Sequence, residues 1–298
     1  MTYRTTDATR GEPRVALVTC RRLADLEADD RLLADALARL GIRADAVVWD
    51  DPEVDYARYD LAVLRSPWDY PRRRDEFLAW ARSVPRLANP AGIVSWNTDK
   101  TYLSDLAASG APVVDTTWLA PGDPWTAPGR GEYVVKPAVG VGSIDSGRYD
   151  LGDPDQRALA MTHVVRLHDT GRTVMVQPYL SAVDTHGETA LVYVDGEYTH
   201  AVRKGPMLDG PDVGVDGLYK PENITARQPS HAERAAADRV LAALPDAAEL
   251  LYARVDLIPG PDGEPVLLEL ELTEPSLFFG YAPGSADRLA AAIARRIG

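Results

Sequence analysis

Residues 252–272, YARVDLIPGPDGEPVLLELEL, constrain the fold more than any other stretch of the chain. Two apolar runs flank a Pro/Gly-rich connection at Pro259–Pro265, which predicts two strands joined by a turn and paired antiparallel. In a strand, residues two apart share a face, so Glu269 and Glu271 stand side by side. Asp256, on the neighbouring strand, comes near Glu269. Three carboxylates on one face repel one another unless a hard cation neutralises them. Mg²⁺ suits such a set, because it takes oxygen ligands and shares them between protein carboxylates and substrate phosphates. The irregular turn leaves the register open, and a solvated sheet edge is the competing reading.

The rest of the composition sets limits. The 298 residues suffice for two or three packed units or for one large α/β enzyme. With 45% hydrophobic and 26% charged residues the chain has a soluble globular composition. Its net charge of −13 argues against nucleic-acid binding, which needs concentrated Lys and Arg, and leaves a small molecule as the expected substrate. No apolar run approaches the roughly 20 residues that span a bilayer, and MTYRTTDATRGEP lacks the apolar core of a signal peptide. The expectation is a cytoplasmic protein with no membrane partner and a disordered tail over residues 1–13. Cys20 is the single cysteine, so no internal disulfide forms; it ends an apolar strand and reads as core packing.

Along the chain, RVALVTC reads as a buried strand and DDRLLADALARLG as an amphipathic helix closed by Gly41. DAVVW and DLAVLRS continue as strands, RDEFLAWARSV as a helix and GIVSW as a further strand. Residues 14–95 are therefore expected to form a small parallel-sheet α/β domain. NTDKTYLSDLAASG predicts a helix capped by Asn97 or Thr98, and a proline-rich stretch leads into the strand YVVKP. TVMVQPYL, ETALVYVDGEYTHAVRK and the 252–272 segment are strands, with VDGE as a hairpin turn. One helix opens with the capping box SHAE and another closes the chain at ADRLAAAIARRIG. The expected divisions are 96–176 for a central unit and 177–298 for a C-terminal unit.

Lys136 ends an apolar strand and precedes AVGVGSIDSG. There Gly140, Gly142 and Ser143 make a flexible loop able to bring backbone N–H groups close to phosphate oxygens. The loop matches neither GxxxxGK[ST] nor GxGxxG, and taken alone it also reads as an ordinary surface loop. LRSPWDY falls beyond the carboxyl end of a parallel strand, where ligands of such sheets bind. Arg65, Ser66, Trp68, Asp69 and Tyr70 are thus substrate-side candidates, with Glu274 and Ser276 of TEPS. The competing reading has Trp68 packing on the domain edge while Arg65 and Asp69 pair. The five histidines show no metal-ligand spacing.

The ordered set Lys100, Lys136, the small-residue loop, VQPYL, Glu188, Arg203, Asp256, Glu269 and Glu271 resembles the ATP-grasp superfamily, specifically the glutathione-synthetase-like carboxylate–amine ligases. The resemblance covers Asn97 to the C-terminus, and the N-terminal unit matches the pre-ATP-grasp domain in kind. It implies a mixed α/β and α+β fold: a parallel-sheet N-terminal domain, a small lid-bearing central subdomain and a C-terminal antiparallel-sheet subdomain, with ATP and Mg²⁺ as cofactors. Carried over, Lys100 and Lys136 bind phosphates, and Gln177, Pro178, Tyr179 and Leu180 form the adenine hinge. Glu188 takes the ribose, with Asp184 as competitor. Arg203 neutralises the transferring phosphoryl or acyl phosphate, with Lys204 either sharing that role or facing solvent, and Asp256, Glu269 and Glu271 ligate metal. Arg254 is expected to hold the substrate carboxylate or oxyanion, or else to pair with the acidic cluster. Where the superfamily commonly ends Glu-x-Asn, this chain has Glu-x-Glu.

LRSPWDY, WNTDKTYL, VVKPAVGVGS, HAVRKGP and LELELTEPSLF resemble more closely the O-ureido-D-serine cyclo-ligase family of antibiotic biosynthesis. That likeness implies ATP-dependent activation of a small amino-acid-like carboxylate, and a homodimer. A phosphotransferase and a non-catalytic nucleotide-binding module remain the alternatives.

Overall fold

Short apolar runs alternate their side chains between two helical layers at the N-terminus. The computed structural model describes residues 11–212, 214, 217–244 and 247–298, so most of the expected tail lies outside the described residues. β1 (Arg14–Thr19), β2 (Arg43–Val48), β3 (Leu61–Ser66) and β4 (Leu87–Ala88) form a parallel sheet in the order β2-β1-β3-β4. Val15 and Leu17 of β1 pack with Leu33 and Leu37 of α1 (Ala28–Arg39). Ala16 and Val18 face the other way, toward Phe77, Leu78 and Ala81 of α2 (Arg74–Ser83). Burial on both faces is what a continuous apolar strand requires.

GIVSW is not a strand. It lies in α3 (Ala91–Asn97), which starts after Pro90 and buries Val94 and Asn97, three residues apart. The β-branched run imitated a strand, but a one-sided helical contact won. Asn97 and Thr98 therefore close α3 rather than cap α4 (Tyr102–Ala108), whose N-cap is Thr101.

The central unit is an antiparallel sheet of β5 (Thr117–Leu119), β6 (Glu132–Pro137), β7 (Gly147–Asp150) and β8 (Val174–Pro178), ordered β5-β8-β6-β7. α5 (Pro154–His168) lays Ala160, Val164 and Leu167 over it. β8 runs through the expected boundary at 176/177 and belongs wholly to this sheet.

After the short α6 (Ala182–Thr185), β9 (Glu188–Val194), β10 (Glu197–Lys204), β11 (Ile224–Arg227), β12 (Tyr252–Pro259) and β13 (Pro265–Glu271) build the third sheet, antiparallel and ordered β11-β10-β9-β12-β13. Asp195 and Gly196, at φ of 49° and 77°, make the expected two-residue hairpin turn. α7 (His231–Ala242) carries the full Ser230–Glu233 capping box and covers one face with Ala236, Ala237 and Val240. α8 (Ser285–Ile297) wedges Leu289 and Ile293 between α1 and the Val192–Val194 side of β9. Among the described residues no helix is long and apolar enough to cross a membrane.

Two buried asparagines join these units. Asn89 donates through Nδ2 to the carbonyls of Tyr252 (2.9 Å) and Leu272 (2.6 Å) and accepts from the Leu251 amide. Asn97 does the same between Leu270 and Leu272 on the free edge of β13, where the Tyr102 hydroxyl also bonds both backbone groups of Leu270. An otherwise unpaired strand edge is thereby satisfied by side chains.

Candidate active site

Strand register decides which charges meet. Asp256 lies opposite Glu269 and Arg254 opposite Glu271, with an irregularity after Asp256 that absorbs the extra residue of β13. On β10, Lys204 pairs with Glu188 of β9, while Arg203 pairs with Thr189. Alternation sends these two β10 side chains to opposite faces. Lys204 consequently reaches Asp256 (3.0 Å), Glu188 (3.2 Å) and Glu222 (3.7 Å). Arg203 donates instead to the backbone carbonyls of His186 and Thr185 and is not among the residues that line the cavity described below. The pleat thus turns Lys204, and not Arg203, toward the cavity.

A cavity of about 550 Å³ opens where the three sheets meet, lined by Lys100, Lys136, Lys204, Glu188, Glu269 and Glu271 among others. Lys100 sits on the turn between α3 and α4, which Asn97 and Tyr102 clamp to β13. That clamp places its amine 3.1 Å from Glu269 and 2.6 Å from the Gly140 carbonyl. Lys136, at the end of β6, forms no ion pair within 4.0 Å among the described residues. Burial lowers its pKa, with nearby Lys100 adding to the effect and Glu269 opposing it. A desolvated cation with no partner is poised for an incoming anion.

The small-residue loop closes over this region. Gly142 has φ of 58°, and a Cβ there would stand 2.4 Å from the Tyr219 Cβ, so only glycine allows this approach. The Lys220 amide donates to the Gly142 carbonyl, and Ser143 contacts Met207. Gln177, Pro178, Tyr179 and Leu180 all line the cavity, with Gln177 held by Thr116. Asp184, the competitor for the ribose, instead accepts from the Tyr179 hydroxyl and pairs with Arg148 at the surface.

The carboxylates divide into two kinds. Asp256 is 1% exposed, and both its oxygens are taken: Arg254 binds it as a fork at 2.8 Å, and Lys204 adds a third bond. Burial alone would raise its pKa, but Arg254 and Lys204 hold it well below the usual range. Glu271 also meets Arg254, yet burial, with Glu269 and Asp256 close by, pushes its pKa up. Among the described residues no three His, Cys, Asp or Glu side chains converge on one point as metal ligands. Glu269 and Glu271, adjacent hard oxygen donors in the cavity wall, fit Mg²⁺ that completes its shell with phosphate oxygens and water. The three-carboxylate set is not assembled, because Asp256 serves Arg254 and Lys204. Arg254 spends its remaining reach on the Ser276 carbonyl at 3.0 Å.

The substrate-side candidates also separate. Arg65 is 1% exposed, paired with Asp30 (2.8 Å) and bonded to the Pro275 carbonyl. Ser66 bonds Thr19 and Asp30, and Asp69 accepts from the Trp49 indole and pairs with Arg73. These three hold the loop and do not line the cavity. Trp68, Tyr70, Glu274 and Ser276 do line it. The Trp68 indole donates to the Glu274 carbonyl (3.0 Å), and burial pushes the Glu274 carboxyl up to about 7. Sequence reasoning passed over Glu222, which no motif marks, and Asp29, whose place in an acidic helix start reads as ordinary helix polarity.

A family model described as "D-cycloserine synthetase DcsG, N-terminal domain" matches residues 15–89. The cycloserine biosynthesis protein DcsG of Streptomyces lavendulae is 40% identical over 305 residues, covering 95% of this chain and 98% of that protein. The crystal structure of D-cycloserine synthetase DcsG superposes with a TM-score of 0.84 at 38% identity, covering 96% of this chain and all of that one. The ATP-grasp ligase PsnB, solved with a phosphomimetic variant of its minimal precursor, Mg and ADP, shares the fold alone: TM-score 0.62, 17% identity, 96% and 99% coverage. With a 40% identical relative spanning nearly its whole length, the chain belongs to the D-cycloserine synthetase DcsG family.

Proposed function

We propose that this ATP-dependent ligase activates the carboxylate of a small amino-acid-like substrate of the O-ureido-D-serine type as an acyl phosphate and closes it onto an internal nitrogen. The observation that carries this reading is a single cavity in which Lys100, Lys136 and Lys204 stand with Glu269 and Glu271. A carboxylate is a poor electrophile, and its oxygen is a poor leaving group. Its oxygen attacks the γ-phosphorus as the bond to ADP breaks; the nitrogen then attacks the acyl carbon, loses a proton, and phosphate departs with one carboxylate oxygen.

Lys100 and Lys136 hold the phosphates, and the Gly140–Ser143 loop covers them. Lys204 stabilises charge on the transferring group, in the place first expected of Arg203. Gln177 to Leu180 would present the adenine-binding edge, and Glu188 would take the ribose hydroxyls. Mg²⁺, held by Glu269 and Glu271, supplies charge neutralisation of the phosphates when bound. Asp256 and Arg254 keep Lys204, Glu271 and Ser276 in position.

The test is to incubate the protein with ATP, Mg²⁺ and O-ureido-D-serine and to follow ADP, phosphate and the organic product by mass spectrometry. Ring product with equimolar ADP and phosphate is expected. A stable phosphorylated substrate would make the protein a phosphotransferase, and absence of substrate-dependent ADP release would reject the reading.

A further inference from the structure

The cavity wall is not uniform. Besides the lysines, it includes Asp29 from the first turn of α1 and, from the segment after β13, Glu274, Gly280 and Tyr281. Asp29 accepts the Gly280 amide through Oδ1 at 3.1 Å. Its Oδ2 is buried and has no hydrogen-bond partner. No Lys or Arg stands within ion-pair distance of it among the described residues. The cation that most affects it, Arg65, is already committed to Asp30 and to the Pro275 carbonyl. Burial pushes Asp29 up to about 6, the mark of a carboxylate whose charge lacks compensation.

Among the described residues the fully buried Asp256 and Asp30 are answered by cations, Arg254 and Arg65, whereas Glu274 of the same cavity wall, like the partly buried Asp29, forms no ion pair. Asp29 is one of the residues lining the cavity of the proposed reaction, and no cation answers it among the described residues. A buried acceptor is left unsatisfied only at a cost, which a ligand carrying the missing donor removes. The donor that also restores charge balance is a cation, and on an amino-acid substrate that is the free ammonium group.

We propose that Asp29 is the specificity residue for the free ammonium group of the substrate. The proposal rests on the ligase reading above and deepens it: the carboxylate to be activated must belong to a molecule with an unblocked amine, and carboxylic acids lacking that amine are discriminated against at this position. Asp29 does not touch the reacting phosphoryl group; it fixes the end of the substrate that does not react. Glu274, on the neighbouring wall, adds negative charge of the same sign.

The experiment compares the full-length protein with Asp29→Asn and Asp29→Glu, using calorimetric binding in the presence of ADP and Mg²⁺ together with ATP-dependent ADP release. The probes are O-ureido-D-serine and its analogue lacking the amine; D-serine and D-alanine extend the binding panel. Wild type is expected to bind the amine-bearing molecules at least tenfold more tightly than the analogue. Asp29→Asn should erase that preference, raising KM for O-ureido-D-serine at least tenfold while kcat changes less than threefold, and Asp29→Glu should keep part of it. Equal loss for both classes of probe, no loss for either, or no binding of any amine-bearing carboxylate by wild type would overturn the proposal. Failure of the ring-closing reading looks different: amine-bearing carboxylates would bind and depend on Asp29, but no ring would form.

Discussion

Lys136 and Asp256 show how neighbouring charges in one site carry different tasks. The Lys136 amine is desolvated, stands near Lys100 and Lys204, and forms no ion pair among the described residues, so it contributes little to holding the fold. Lys136→Met is expected to leave stability to denaturant unchanged or slightly higher while weakening ATP binding tenfold or more. The check is the loss of ATP-dependent thermal stabilisation. Asp256 is the converse, because it is the shared acceptor of Arg254 and Lys204 in a dry interior. Asp256→Asn removes the charge both cations share, leaving Lys204 to Glu188 and Glu222 and Arg254 to Glu271, and should cost about 1.5–3 kcal/mol of stability, measured by urea unfolding. Near-wild-type stability in that variant would mean that the three groups are not the structural unit described here.

Among the elements, the loop between β6 and β7 depends on glycine for a reason that can be tested. At φ of 58° and with Tyr219 in the way, Gly142→Ala is strained in backbone and in contact. A several-fold rise in KM for ATP is expected, with a drop in the melting temperature of the nucleotide-free protein as well, because Val139 and Val141 of the loop pack against the N-terminal core. The elements also show what a sequence discloses. The SHAE capping box, the Asp195–Gly196 hairpin and the charge pair Glu269/Glu271 were legible, since each is fixed by residues close in sequence. GIVSW was not, because its helix is chosen by Val94 and Asn97 contacting distant segments. Arg203 and Lys204 are adjacent in sequence, and only the register of β10 against β9 tells which one faces the cavity.

For the whole molecule, the family and the three-sheet architecture followed from the order of motifs, whereas the joints between the sheets did not. Asn89, Asn97 and Tyr252 link segments up to 188 residues apart through side-chain hydrogen bonds that no local pattern announces. Global stability should also report a buried titrating group. His163 lies 3% exposed beneath Arg166 and Asp212, its Nδ1 sharing a hydrogen bond with the Tyr149 hydroxyl, and burial lowers its pKa to about 4. A histidine whose folded pKa lies below its unfolded value of 6.5 binds its proton more readily when unfolded. Stability is therefore full above pH 6.5 and falls as pH drops toward 4, by up to about 3 kcal/mol from this group. Urea unfolding at pH 7 and pH 4.5 measures the slope, and His163→Gln should flatten it; an unchanged slope would place the acid sensitivity elsewhere.

The central claim is that the cavity activates a carboxylate by phosphorylating it, and isotope transfer tests that step directly. O-ureido-D-serine labelled with ¹⁸O in its carboxylate is turned over with unlabelled ATP and Mg²⁺, and the released phosphate is analysed by mass spectrometry. The acyl-phosphate route predicts one ¹⁸O in each phosphate formed; phosphate carrying none, with ring product still appearing, would contradict it.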